Sequence, residues 1–272
     1  MLGAAGGVTG PRRQPRRGMY VLPSLFTAGN IAAGFYAILQ SIQGSQAEWW
    51  HFDYAALAIG VAVIFDGLDG QIARLTNTAS DFGREFDSLA DTITFGVAPS
   101  LLAYLWGVRM LPYVGQMTEQ VMQLGAFACF IFLVCNASRL ARFNVTTNPQ
   151  PQNPGRPGRK YFVGMPTPAG AGVIVTVIHC CRTPIDNLWV SLVWIVLILF
   201  TGFLMVSRWR FWSGKELNFG DRKPFRLIVL LAAIGAVVVR FSRYALIAIA
   251  LGYLLSGVLA RLAYSWGRRK NA

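Results

Sequence analysis

The stretch "FDGLDGQIARLTNTASDFGREFDSLADTITFG", residues 65–96, decides the class of this chain, because it places half of the twelve acidic residues between two apolar runs. If the first run continues as a helix, residues spaced by three or four positions share one face, and Asp66 and Asp69 lie on it. The second run repeats the pattern with Asp87 and Asp91. Two antiparallel helices with so short a connection are neighbours, so we expect these four carboxylates to converge at one membrane boundary.

The composition indicates a polytopic membrane protein: the 272 residues are 54% hydrophobic and only 14% charged. Apolar runs near the ~20 residues that cross a bilayer predict eight spans, at 20–43, 53–75, 86–107, 120–143, 165–181, 188–206, 226–240 and 243–265. The predicted fold class is therefore all-α, with about eight transmembrane helices. The predicted organisation is a basic segment at 1–19, a transmembrane core at 20–206, and a loop with two further helices at 207–272.

The basic residues predict the orientation, since Lys and Arg near span ends favour the cytoplasmic side. With a cytoplasmic N-terminus, all but four of the 25 basic residues fall on that side. The exceptions are Arg109, Arg182, Arg240 and Arg243. Both termini and the acidic stretch are then expected at the cytoplasmic face. The net charge of +13 is spread over five loops, which favours anionic lipid headgroups over a nucleic-acid partner.

Four convergent carboxylates require a positive counter-charge, and a bound cation supplies one. Ligation by oxygen alone suits Mg²⁺, Mn²⁺ or Ca²⁺, and the lack of a nearby His or Cys argues against zinc. Four carboxylates can hold two divalent cations, an arrangement suited to displacement at phosphorus. Gly70, Ala73 and Gly83 lie on the same faces and leave room for a ligand. The alternative is that these small residues serve helix packing and that the acids pair with Arg74 and Arg84, but two arginines cannot neutralise four carboxylates.

The spacing of eight residues resembles the signature of the CDP-alcohol phosphotransferases at every fixed position: Asp66-x₂-Asp69-Gly70-x₂-Ala73-Arg74-x₈-Gly83-x₃-Asp87-x₃-Asp91. The resemblance implies an integral membrane enzyme that transfers a phosphoryl-containing group from a CDP-linked donor to an alcohol and releases CMP. Further stretches resemble the branch of bacterial and archaeal CDP-diacylglycerol–serine O-phosphatidyltransferases: "LPSLFTAGNIAAGF" at 22–35, "SRLARFNV" at 138–145 and "YFVGMPTPAGAG" at 161–172. Beyond residue 180 only a hydrophobic pattern remains, compatible with two helices added to a six-helix core.

The resemblance also implies roles for individual residues. Asp66, Asp69 and Asp87 resemble metal ligands, and Asp91 resembles both a ligand of the second metal and the general base. The positions that resemble the binding site of the CDP moiety are Asp69, Gly70, Ala73, Arg74 and Gly83. By the same resemblance, the chain uses two divalent cations (Mn²⁺ or Mg²⁺), takes CDP-diacylglycerol and L-serine as substrates, lies in a bacterial-type cell membrane and forms a homodimer.

The acceptor site is the least determined part of the prediction. The serine carboxylate requires a cationic or amide-rich partner, and the candidates near the end of the fourth span are Asn136, Arg139 and Arg142. The alternative is that both arginines only anchor the span. Two other functions stay open at this point: the same chemistry with another alcohol, such as glycerol 3-phosphate or inositol phosphate, and a cation transporter, which would distribute its acids through the membrane depth.

Overall fold

The computed structural model of the chain describes residues 21–75, 81–146, 150, 152, 161–212 and 242–270, without the side chains of 21–24, 68–75, 81, 212, 242–244 and 267–270. Within these residues helices dominate. They are α1 (Val21–Gln43), α2 (Trp50–Leu75), α3 (Asp81–Asp91), α4 (Ala98–Tyr104), α5 (Gln116–Val145), α6 (Thr167–Cys181), α7 (Leu188–Val206) and α8 (Ser242–Lys270). Two short strands, β1 (Tyr161–Val163) and β2 (Arg210–Trp212), complete the described structure.

The predicted spans coincide with helices wherever the structure describes the chain. The sixth span, 188–206, has the bounds of α7, and the fourth, 120–143, lies inside α5. By length and composition, five of the described helical segments can cross a membrane, and α6 is a shorter apolar helix of 15 residues. The seventh predicted span, 226–240, lies outside the described residues, so the number of eight helices stays a prediction.

The third span is one continuous helical rod, in which α3 and α4 are joined by the π-helical segment Thr92–Val97 and followed by a second one, Leu105–Arg109. Residues of α7 bind carbonyls of α4 and of this second π-helical segment: Trp194 Nε1 donates to Ala103 O at 3.0 Å, and Ser191 Oγ donates to Gly107 O at 2.7 Å. Trp106 and Trp194 also pack edge to face, 5.1 Å apart. Such hydrogen bonds and close packing hold membrane helices together, because lipid is as apolar as the helix surfaces.

The two strands correct the prediction of a chain made only of helices and loops. β1 pairs with β2 in antiparallel register, with Phe162 opposite Phe211, so the segments after α5 and after α7 form a small sheet. Gly164 ends β1 with a φ of +76°, and a Cβ there would lie 2.8 Å from the carbonyl oxygen of Ser207. This turn therefore requires glycine for both its backbone angle and its close approach. The pairing was missed because short strands far apart in sequence leave no periodic pattern.

The C-terminal helix α8 docks on this sheet and on α6. Phe211 of β2 is fully buried and packs against Tyr253 of α8, with the ring centroids 5.7 Å apart. Gly257, one turn further along α8, has no side chain, and this leaves space for the Phe211 ring. The sheet thereby fixes α8 beside α6.

Candidate metal centre and active site

Three of the four predicted metal ligands meet at one end of the helices. Asp66 in the second half of α2, and Asp87 and Asp91 on α3, place carboxylate oxygens within 4.8 Å of one another. We call these three residues the aspartate cluster. Asp91 is buried, with 7% of its surface exposed, and the other two are half-buried. The helical spacing predicted from the sequence therefore brings the carboxylates of two neighbouring helices together.

The donor set of the aspartate cluster fits a hard divalent cation. Two like charges about 4 Å apart repel by about 4 kcal/mol at an effective dielectric constant near 20, so three ionised carboxylates at this distance need positive charge between them. All three side chains offer oxygen, and no His or Cys joins them among the residues that the structure describes. Oxygen-only ligation is what Mg²⁺ and Mn²⁺ prefer, whereas zinc sites favour His and Cys.

The remaining signature positions are only partly described. The backbones of Asp69, Gly70, Ala73 and Arg74 belong to α2, but their side chains lie outside the described residues. Gly83 lies on α3 one turn before Asp87. The predicted roles of these five residues, including Asp69 as the fourth metal ligand, stay predictions.

Asn30 on α1 supports the aspartate cluster and was missed as a site residue by the sequence reasoning. It is fully buried, and its Nδ2 donates to Asp91 Oδ1 at 3.2 Å. Its backbone carbonyl accepts a hydrogen bond from Thr94 Oγ1 at 3.0 Å, which ties α1 to the rod just after Asp91. Gly34 permits this contact, because a Cβ there would overlap the Thr94 side chain. An Asn in the middle of an apolar span is a signal for a functional or pairing role that could have identified it.

The π-helical segment Thr92–Val97 begins directly after Asp91. Asn136 of α5 is fully buried and donates its Nδ2 to the carbonyl of Phe95 in this segment at 2.8 Å. π-Helical turns interrupt the regular hydrogen-bond ladder and recur at functional sites. Asn136 therefore satisfies a backbone carbonyl of the irregular turn that follows Asp91.

The two arginines predicted for the acceptor site have different environments. Arg142 donates Nη1 to Val206 O at 2.8 Å and Nη2 to Val163 O at 3.1 Å, so its guanidinium joins α5 to the end of α7 and to β1. Arg139 is buried, with 9% of its surface exposed, and interacts electrostatically with Asp91. Its Nε has no hydrogen-bond partner among the residues that the structure describes. Within the part of the chain that the structure describes, Arg139 is thus a buried guanidinium that interacts with Asp91 and whose Nε has donor capacity to spare.

Comparison with known proteins identifies the family. The profile of the CDP-alcohol phosphatidyltransferases matches residues 20–184. A Helicobacter pylori protein named CDP-diacylglycerol–serine O-phosphatidyltransferase is 36% identical over 222 residues, covering 79% of this chain and 81% of the relative. Proteins of the same name from Mycobacterium leprae (34% identity, 73% of this chain and 60% of the relative) and Bacillus subtilis (32%, 61% and 80%) are also similar. The resemblance predicted from the sequence is confirmed, and the chain belongs to the CDP-alcohol phosphatidyltransferase family.

Proposed function

We propose that this integral membrane enzyme transfers the phosphatidyl group of CDP-diacylglycerol to the hydroxyl of L-serine, giving phosphatidylserine and CMP. The observation that carries the proposal is the convergence of Asp66, Asp87 and Asp91 within 4.8 Å, in a chain whose relatives bear the name of this activity. Membership in a family of phosphatidyltransferases favours phosphatidyl transfer over cation transport as the function of this chain.

The cofactor in this proposal is a pair of Mn²⁺ or Mg²⁺ ions. Asp66, Asp87 and Asp91 would hold them together with Asp69, whose part rests on the family signature alone. When bound, the cations would supply positive charge to balance the negative charge of the donor's diphosphate. The aspartate cluster supports this part of the proposal because its carboxylates offer the hard oxygen ligands that such cations take.

The reaction we propose is a direct displacement at phosphorus. The serine hydroxyl oxygen attacks the phosphorus that bears diacylglycerol, its proton passes to the carboxylate of Asp91, and the bond to the CMP oxygen breaks. A hydroxyl is a weak nucleophile until a base takes its proton, and Asp91 is the buried member of the aspartate cluster. The hydrogen bond from Asn30 holds this carboxylate in one orientation, so Asn30 acts as a positioning residue.

For the acceptor, we propose that Arg139 binds the serine carboxylate. Its burial, its nearness to Asp91 and its unused Nε support this role. Arg142 already donates to two backbone carbonyls, and Asn136 donates to the carbonyl of Phe95. Both therefore fit a positioning role at the acceptor site better than direct contact with serine.

Replacing Arg139 with Lys tests this assignment. Lys keeps the charge but loses the planar, two-pronged geometry that matches a carboxylate. We expect the KM for serine to rise about ten- to hundredfold, the equivalent of ~1.5–3 kcal/mol for a charge-assisted hydrogen bond, while the KM for CDP-diacylglycerol changes little. The matched control is Arg142→Lys. We expect this variant to lower the melting temperature and to leave the KM for serine close to the wild-type value. If the KM for serine rises only in Arg142→Lys, Arg142 and not Arg139 binds the serine carboxylate.

Replacing Asn30 with Leu tests whether the hydrogen bond from Asn30 to Asp91 contributes to catalysis. The variant loses the hydrogen bond to the carboxylate, and we expect kcat to fall about ten- to hundredfold, as a bond of ~1.5–3 kcal/mol to a charged group implies. The matched control is Ser41→Ala, because Ser41 is also fully buried on α1 but donates only to the Ala37 carbonyl of its own helix. Equal kcat values in wild type and in Asn30→Leu would remove Asn30 from the mechanism.

We also propose that the aspartate cluster faces the cytoplasm of a bacterial-type cell membrane, with both termini on that side, and that the enzyme is a homodimer. The positions of the basic residues support the orientation: Arg139 and Arg142 lie near the end of α5 on the side of the cluster, whereas Arg109 and Arg182 lie at the far ends of helices that run away from it. Reporter fusions at the two termini test the orientation, and mass measurement of the protein in detergent tests the dimer.

The central experiment identifies the lipid product. Purified protein is incubated with CDP-diacylglycerol, a divalent cation and, in turn, serine, glycerol 3-phosphate, inositol phosphate or choline, and the lipid formed is determined by mass spectrometry together with the CMP released. We expect phosphatidylserine, formed in equal amount with CMP. Product with another alcohol and none with serine would keep the chemistry and replace the acceptor, whereas CMP release without any lipid product would contradict phosphatidyl transfer.

A further inference from the structure

The C-terminal helix α8 brings a polar aromatic side chain, Tyr253, towards the inner end of α5. The helix begins at Ser242 and so lies beyond residues 20–184, the part of the chain that matches the family profile. Much of its surface is exposed, but Leu254 and Gly257 are buried and Tyr253 is half-buried. Tyr253 therefore belongs to the part of α8 that packs against the rest of the protein.

The small sheet holds Tyr253 in place relative to α5. The Tyr253 ring packs against the fully buried ring of Phe211 in β2, with the ring centroids 5.7 Å apart. β2 pairs with β1, and the Val163 carbonyl of β1 accepts a hydrogen bond from Arg142 Nη2 at 3.1 Å. Arg142 follows Arg139 by three residues, which is about one turn of α5. The sheet thus contacts both α8 and the turn of α5 that begins at Arg139.

In this arrangement Tyr253 and Arg139 interact electrostatically. Asp91 also attracts Arg139, whereas Arg142 repels it. A buried guanidinium is costly unless acceptors satisfy its N–H groups, and the phenol oxygen of a tyrosine is such an acceptor. Arg139 therefore has one favourable neighbour from the family core, Asp91, and one from the added helix, Tyr253.

The chemical type of the second neighbour suits a binding site for an anion. A carboxylate beside Arg139 would neutralise the guanidinium, whereas a phenol is uncharged near pH 7 and leaves the positive charge available to a ligand. In the proposed reaction Asp91 takes the proton of the serine hydroxyl, so its own charge changes during turnover. Tyr253 can orient Arg139 in both states, because its hydroxyl takes no part in the proton transfer.

We propose that Tyr253 is a positioning residue for the acceptor: it orients the Arg139 guanidinium towards the serine carboxylate, so that helix α8 contributes to acceptor recognition. The inference rests on the proposed function, in which Arg139 binds this carboxylate. The alternative is that Tyr253 only packs against Phe211, a role that phenylalanine would fill equally well.

The test is Tyr253→Phe, which keeps the ring and its packing on Phe211 and removes only the hydroxyl. We expect the KM for serine to rise about tenfold, as the loss of one hydrogen bond to a charged group implies. The KM for CDP-diacylglycerol and the melting temperature should stay close to the wild-type values. An unchanged KM for serine would overturn the proposal, and so would an equal rise of the two KM values.

Tyr264→Phe is the matched control. Tyr264 also lies on α8 but is exposed, so the same chemical change there should leave the KM for serine unaltered. A rise equal to that of Tyr253→Phe would contradict a specific role of Tyr253. Failure of the wild type to form phosphatidylserine would count against the proposed function, whereas phosphatidylserine formation with an unchanged serine KM in Tyr253→Phe would count against the role of Tyr253 alone.

A double variant tests whether Tyr253 acts through Arg139. If it does, adding Tyr253→Phe to Arg139→Lys should change the serine KM little beyond the effect of Arg139→Lys, because residues that act together are not additive. A further rise of about tenfold, as expected for two independent hydrogen bonds, would overturn the proposed route through Arg139.

A second measurement needs no turnover. Equilibrium binding of radiolabelled L-serine is measured on the intact wild-type protein and on Tyr253→Phe, and the Kd should rise about tenfold in the variant. Equal serine affinity of the two proteins would overturn the proposal even if the variant were inactive.

Discussion

We expect removal of divalent cations to abolish phosphatidyl transfer by this enzyme, and Mg²⁺ or Mn²⁺ to restore it. We expect this result because three carboxylates lie within 4.8 Å of one another, and such a set leaves a strong local negative charge where, by our proposal, the negatively charged diphosphate of the donor binds. The measurement is the rate of CMP release after dialysis against EDTA, followed by titration with each metal. Full turnover in metal-free buffer would contradict the cation requirement.

A stability measurement accompanies this prediction and does not depend on turnover. Because a bound cation relieves the repulsion within the aspartate cluster, EDTA should lower the melting temperature of the wild type. In Asp66→Asn one of the three charges is absent, so the same treatment should lower the melting temperature less. Equal shifts in the two proteins would place the stabilising cation elsewhere.

Asp91→Asn should lower kcat by a factor of about 10² to 10⁴, the usual contribution of a positioned general base. The amide cannot accept the serine proton, while Asp66 and Asp87 remain as proposed metal ligands. Binding of CDP-diacylglycerol should stay measurable, because the other signature positions are intact. The measurements are single-turnover CMP release and equilibrium binding of the donor.

Comparison with Asp66→Asn distinguishes the role of a general base from the role of a metal ligand. If Asp66 serves only as a ligand, a higher concentration of Mn²⁺ should restore part of its activity, whereas the same concentration should leave Asp91→Asn inactive. Near-normal turnover in Asp91→Asn, or equal rescue of both variants by metal, would exclude Asp91 as the base.

The helices and the aspartate cluster could be predicted from the sequence because they depend on local rules. An apolar run long enough to cross a bilayer must satisfy its backbone hydrogen bonds internally, so it forms a helix whatever its neighbours are. This is why the predicted span 188–206 has the bounds of α7. The helical repeat likewise places Asp87 and Asp91 on one face, and the short connection to α2 makes Asp66 their neighbour.

The tertiary structure alone decided which distant residues serve this cluster. Asn30 reaches Asp91 across 61 positions of sequence, and Asn136 reaches the π-helical turn at Phe95 across 41. Sequence spacing carries no information about such contacts, because they depend on how α1 and α5 pack against the rod.

The same limit applies to Arg139 and Arg142, because the sequence does not distinguish their roles. Only the pairing of β1 with β2 and the end of α7 give Arg142 its carbonyl partners, while Arg139 remains beside Asp91. An apolar groove between α2, α6 and α8 is also a product of packing, since each of its walls comes from a different helix. A single sequence determines each helix through its own backbone and hydrophobicity, but the spaces between helices exist only once the side chains of several helices have packed together.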